Sequence, residues 1–142
     1  MRHPVHPMLV HFPIATWFIS TLCDIAGLFT INELVSRMAG VLLIIGTISA
    51  LLAMVAGLME LAKIDQKSPA MKIANQHMLL MMASWSLYAV SLFLRLDGTR
   101  LGQPSLAAVA LSVAGLIVLC IAGWLGGKLV YEYGVGTRSN PS

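Results

Sequence analysis

The chain has 142 residues, of which 58% are hydrophobic and 11% charged, with a formal net charge of +3. So small a polar complement cannot coat a soluble domain of this size, whereas a lipid-facing exterior removes the need. Two lone cysteines exclude a disulfide framework, and no catalytic motif, phosphate loop or basic run points to a soluble enzyme or a nucleic-acid partner.

A helix needs about 20 largely apolar residues to cross the hydrocarbon core of a bilayer, and the sequence supplies four such runs. The first is predicted over 7–30, where His11, Cys23 and Asp24 are the ionisable side chains. It reads as a spanning helix and not as a cleaved signal, because His11 and Pro13 break its apolar stretch and no small-x-small cleavage pattern follows. Pro13 withholds a donor from the carbonyl of Leu9, so that carbonyl is expected to serve the nearby histidines. Asp24 falls about 26 Å along the helix from Pro7, where water or Arg37 is its expected partner. Asn32-Glu33 marks a tight turn.

The second helix is predicted over 36–59, since Met38 to Met59 is free of charge. Glu60 to Lys67 alternates acid and base and reads as a solvated connection. Ser68-Pro69 suits the cap and first residue of a third helix over 69–95. Asp97-Gly98 is the next turn. Leu101 to Gly127 is again uncharged, giving a fourth helix over 102–127, in which Gly123, Gly126 and Gly127 suggest close helix contact. A Gly/Ser/Asn/Pro-rich tail over 134–142 is expected to be flexible. The fold class is therefore all-α, an integral membrane four-helix bundle forming one domain over 1–142.

Four crossings put both termini and the 60–67 connection on one side. That side holds Arg2, Lys63, Lys67, Lys72, Lys128 and Arg138, against Arg37, Arg95 and Arg100 on the other. The bias predicts a multi-pass protein of a bacterial inner (plasma) membrane with both termini cytoplasmic. Ala15-Thr16-Trp17 and Ala83-Ser84-Trp85 hint at a parallel repeat of two helix pairs.

All four histidines, His3, His6, His11 and His77, fall on the predicted cytoplasmic side. His11 and His77 enter the first and third helices at similar depth, so two imidazoles are available to ligate a haem b iron lying between those helices. His6 is the alternative first-helix ligand. The bland reading puts the same histidines in the headgroup region, bonded to water, lipid phosphate or carbonyls, and this suits His3 and His6 best. A zinc or copper site is disfavoured because no cysteine or carboxylate lies close in sequence. Met71, Met78, Met81 and Met82 flank His77 and read as core filling. Trp17, Trp85, Trp124, Tyr88, Tyr131 and Tyr133 read as packing or belt residues.

The opening His3-Pro4-Val5-His6-Pro7-Met8-Leu9-Val10-His11-Phe12-Pro13-Ile14-Ala15 and the ending Gly123-Trp124-Leu125-Gly126-Gly127-Lys128-Leu129-Val130-Tyr131 resemble a bacterial family of predicted four-helix membrane proteins known as a domain of unknown function. Gly57, Ser68-Pro69-Ala70 and His77-Met78-Leu79-Leu80 resemble it too, so the likeness runs through nearly the whole chain. It implies that His6, His11 and His77 are the family's histidines, and that cytochrome-like modules are neighbours or fusion partners. The family often carries a basic residue and a histidine after the last tyrosine, where Glu132 and Tyr133 stand here.

The leading expectation is thus a cytochrome-b-like electron-transfer protein with one haem b held by His11 and His77. Quinone or a respiratory-complex subunit would exchange electrons with it. The runner-up is a non-enzymatic membrane subunit or a small transporter-like bundle, with histidines at an interface or in a proton relay. Lipid surrounds either one, and a homo-oligomer is compatible with both.

Overall fold

A computed structural model describes residues 5–30, 32–98 and 100–136. Its elements in chain order are α1 (Val5–Leu9), α2 (His11–Gly27), α3 (Glu33–Leu61), α4 (Pro69–Leu94), β1 (Leu96–Asp97), β2 (Arg100–Leu101) and α5 (Leu106–Tyr131). His3, Arg2, Arg138 and the 137–142 part of the expected tail lie outside the described residues.

Each helix start is set by local chemistry. Asn32 adopts an extended conformation and its side chain accepts from the amides of Leu34 and Val35, starting α3 ahead of the expected residue 36. Ser68 accepts from Ala70 N, and Pro69 occupies the first turn of α4, where its missing N–H costs nothing. Ser105 accepts from Ala108 N, so α5 begins after residue 102 and runs past the expected end at 127 to Tyr131. Between α4 and α5, Leu96 pairs with Leu101 and Asp97 with Arg100 in a short antiparallel hairpin. Gly98 supplies its positive φ of 60°.

Among the described residues four helices are long and apolar enough to cross a membrane: 6–27, counting α1 with α2, then α3, α4 and α5. Small side chains sit inside, among them Ala39, Ala50, Ala53, Ala74, Ala108 and Ala122, while Phe29, Leu52, Leu79, Phe93, Leu106 and Trp124 are exposed. A water-soluble bundle does the reverse. In lipid, where apolar side chains gain nothing by turning inward, small residues pack the helices and large ones face the tails.

α2 packs closely on α3, and α4 on α5, forming two hairpin halves. The halves meet along an axis occupied by large groups from α2 and α4. Trp17 and Tyr88 stack there with ring centroids 4.5 Å apart and planes inclined by 13°. Both are fully buried. Tyr88 Oη lies 3.0 Å from Thr21 Oγ1, and Thr21 also donates to the carbonyl of Trp17. The indole of Trp85 donates to Thr47 O at 3.0 Å, tying α4 to α3.

Near one end of the axis, Arg95 makes a two-pronged contact with Asp24, Nη1 to Oδ1 at 3.0 Å and Nη2 to Oδ2 at 2.8 Å. Neither side chain is exposed at all. Sequence reasoning expected water or Arg37 to meet Asp24. Arg37 instead pairs with Glu33 one turn before it on the exposed face of α3, and Arg95 reaches inward from the C-cap of α4. Ser91 accepts from the remaining face of the guanidinium, so the buried charges are both paired and hydrogen-bonded.

A histidine site built twice

The interior contacts come in matched pairs. Ser20 Oγ donates to Ala39 O at 2.8 Å, and Ser91 Oγ donates to Ala108 O at 2.7 Å. Gly46 passes the Trp17 ring as Gly115 passes the Tyr88 ring. Asp24 and Arg95, which meet each other, also occupy matching places. His6, Trp17, Ser20 and Asp24 correspond to His77, Tyr88, Ser91 and Arg95, each 71 residues apart, and Ala39, Gly46, Ala53 and Gly57 to Ala108, Gly115, Ala122 and Gly126, each 69 apart. The bundle is an internal repeat. The register differs from the one suggested by Ala15-Thr16-Trp17 and Ala83-Ser84-Trp85, because Trp85 points to Thr47 while Tyr88 takes the place opposite Trp17.

The repeat singles out two of the four histidines. His6 Nδ1 lies 2.8 Å from the carbonyl oxygen of Ala53 on α3. His77 Nδ1 lies 2.8 Å from that of Ala122 on α5. A carbonyl only accepts, so each Nδ1 carries the proton and each Nε2 keeps its lone pair. Both rings are half-buried.

Glycine makes room for both rings. A Cβ placed on Gly57 would come 3.0 Å from Cε1 of His6, and one on Gly126 would come 3.1 Å from Cε1 of His77. Each imidazole therefore lies against the neighbouring helix backbone at a spot where any side chain would crowd it. Gly126 fits the close contact expected of it, but the contact is with an imidazole. Gly123 and Gly127 face open space, with nothing within 4 Å of where a Cβ would lie. The stretch through Gly126-Gly127 remains helical.

His11 is exposed on the outer side of α2. Its place in the repeat is taken in the second half by Met82, itself exposed, so it has no histidine counterpart. The residue that mirrors His77 is His6. The expected acceptor for the first-helix histidines, the Leu9 carbonyl, is also replaced, since Ala53 O receives the His6 proton.

A family model described as "Predicted membrane protein (DUF2231)" matches residues 2–139. The chain belongs to this family. No curated protein and no solved structure matches it.

As a DUF2231 protein it carries a matched pair of histidine seats that its opening motif reveals only in part. His6 lies within that motif, but the groups that fix its ring, Ala53 O and Gly57, come from the following helix. The legible signal was the Ala-x-x-x-Gly spacing that recurs in α3 and α5, as Ala53 with Gly57 and Ala122 with Gly126. Among the described residues no group of three or more histidine, cysteine or carboxylate side chains gathers as a metal cage. Two imidazoles still suffice for an iron whose other four positions are filled by a porphyrin.

Proposed function

We propose that this DUF2231 protein is a cytochrome-b-like electron-transfer protein that binds one haem b between its first and third membrane-spanning helices, with His6 and His77 as the axial ligands. The carrying observation is that these two histidines occupy equivalent places in the repeat, each with Nδ1 engaged by a backbone carbonyl at 2.8 Å. Such a bond fixes the tautomer and leaves Nε2 as the coordinating nitrogen, the arrangement a metal-bound imidazole requires. His11, exposed and without a counterpart, suits the lipid interface better.

Bound haem would supply one-electron chemistry; the chain's own part is to hold the two imidazoles, set their protonation and exclude water. Among the described residues the buried polar side-chain atoms are all taken up in hydrogen bonds within the bundle. A quinone or a respiratory-complex subunit would be the electron partner. The charge distribution favours a bacterial plasma membrane with both termini cytoplasmic, which would set the histidine pair near the cytoplasmic leaflet.

The test is optical. Protein purified from haem-replete cells should give a Soret band and sharp reduced-minus-oxidised bands of a low-spin, six-coordinate haem. His6→Ala and His77→Ala should each abolish the low-spin signature, and His11→Ala should leave it intact. A colourless wild type would end the proposal; unchanged spectra in both ligand variants, with loss of a copurifying partner, would favour the non-enzymatic subunit.

A further inference from the structure

Two like rings rest in two like glycine notches, yet their mounts differ. His77 sits within the uninterrupted 26-residue helix α4, close after the buried residues Ala70, Met71 and Ala74. Ala70 and Ala74 pack with Leu129 of α5 in a small core of their own. His6 sits in α1, five residues long, which runs into α2 through Val10, a residue in helical conformation whose amide bonds His6 O and whose carbonyl accepts from Ile14 N. One rung of the ladder is missing at this join, for a covalent reason. Pro13 has no N–H, so Leu9 O lacks the bond that would carry α1 into α2; the matching residue in α4 is Ser84, which keeps its amide and whose hydroxyl bonds Gly115 O.

The described side chains of α1 are also shallowly set. From residue 6 to 9 no side chain is buried, Met8 being 65% exposed. α1 packs on α3, where the bond from His6 to Ala53 O and the seat against Gly57 help to hold it. Segments with few buried contacts and an incomplete hydrogen-bond ladder open at far lower cost than the body around them.

We propose that α1 is a hinged arm, turning about Val10 to Pro13, that lifts His6 away from the pair while His77 stays fixed. This inference rests on the haem reading for its chemical consequence: the His6 side becomes the place where a small neutral ligand enters, and the His77 side holds the cofactor. The arm itself is a property of the chain. Gly57 is then a positioning residue that seats the closed arm, and Pro13 a positioning residue that frees it.

Two measurements on the full chain separate the arm from the haem reading. The first is amide hydrogen exchange by mass spectrometry, which needs no cofactor. Amides of residues 5–10 should exchange at least about tenfold faster than those of 75–80, as a sub-global opening requires. Pro13→Ala should slow them by about fivefold, the worth of one restored backbone hydrogen bond, and Gly57→Ala should speed them. Equal exchange in the two segments, or exchange of 5–10 that ignores both substitutions, would overturn the arm.

The second uses carbon monoxide as the probe on the reduced haem-bearing protein. Combination should be faster in Gly57→Ala than in wild type, slower in Pro13→Ala, and unchanged in Gly123→Ala, where nothing lies within 4 Å of the added methyl. His6→Ala should retain haem and bind carbon monoxide readily, whereas His77→Ala should lose haem. The reverse order of the two histidine variants would overturn the assignment of His6 as the opening side. A wild type without haem, combined with fast and Pro13-dependent exchange, would remove the haem reading and leave the arm standing.

Discussion

Asp24 and Arg95 show how much a single pair decides in a low-dielectric interior. Both side chains are wholly buried and share two hydrogen bonds, so removing one partner strands the other charge, at a cost of about 3–5 kcal/mol. Asp24→Asn should therefore lower the thermal midpoint in detergent sharply. The charge exchange Asp24→Arg with Arg95→Asp should recover a good part of that loss, because the two positions are related by the repeat. A double variant no more stable than Asp24→Arg alone would show that the surroundings, Ser91 above all, are built for one polarity. His11 makes the opposite point at the same scale. A histidine in a motif need not face inward: its position on the helix leaves His11 exposed.

At the scale of the helix, the glycines sort by what faces them. Gly126 and Gly123 are less than one turn apart on α5, yet one meets His77 at 3.1 Å and the other meets nothing within 4 Å. Gly126→Ala should displace the His77 ring, altering the haem spectrum or the histidine side-chain resonances. Gly123→Ala should leave both unchanged and stabilise α5 by about 0.5–1 kcal/mol through the lower entropy cost of alanine; circular dichroism melts beside the spectra check the pair. Helix boundaries were legible at α4, where Ser68-Pro69 announced the cap, but not at α3, whose cap Asn32 read as a turn. They were misplaced at α5, because the uncharged run from Leu101 read as helix, while the chain stays non-helical beyond the hairpin until Ser105 supplies a cap.

The whole molecule is two hairpins built to one plan and joined through unlike residues. Had the axial positions been identical, two aspartates or two arginines would face each other in the interior; Asp24 opposite Arg95 and Trp17 opposite Tyr88 avoid that. Orientation in the membrane belongs to this scale too. Arg95 is buried with Asp24 and so adds no free positive charge to its end of the bundle, while at the other end Lys63 and Lys128 pair with Glu60 and Glu132. With both native cysteines replaced, a cysteine at position 97 should react with a membrane-impermeant thiol reagent in intact cells rendered permeable at the outer membrane, and one at position 67 only after lysis. The opposite labelling pattern would invert the topology and carry the histidine end with it.

The sequence alone determined that this chain lives in lipid as four helices, because hydropathy over a span of that length is a local property that no tertiary contact alters. It also determined that histidines gather toward one end. Which histidines occupy equivalent places, and which carbonyl each one bonds, was decided only by the tertiary structure. Ala53 O and Ala122 O are backbone atoms with no signature in residue type, and the offsets of 71 and 69 that align the halves become visible only when the contacts repeat. The partner of Asp24 was hidden for the same reason: it lies 71 residues away along the chain and hydrogen-bond distance away in space.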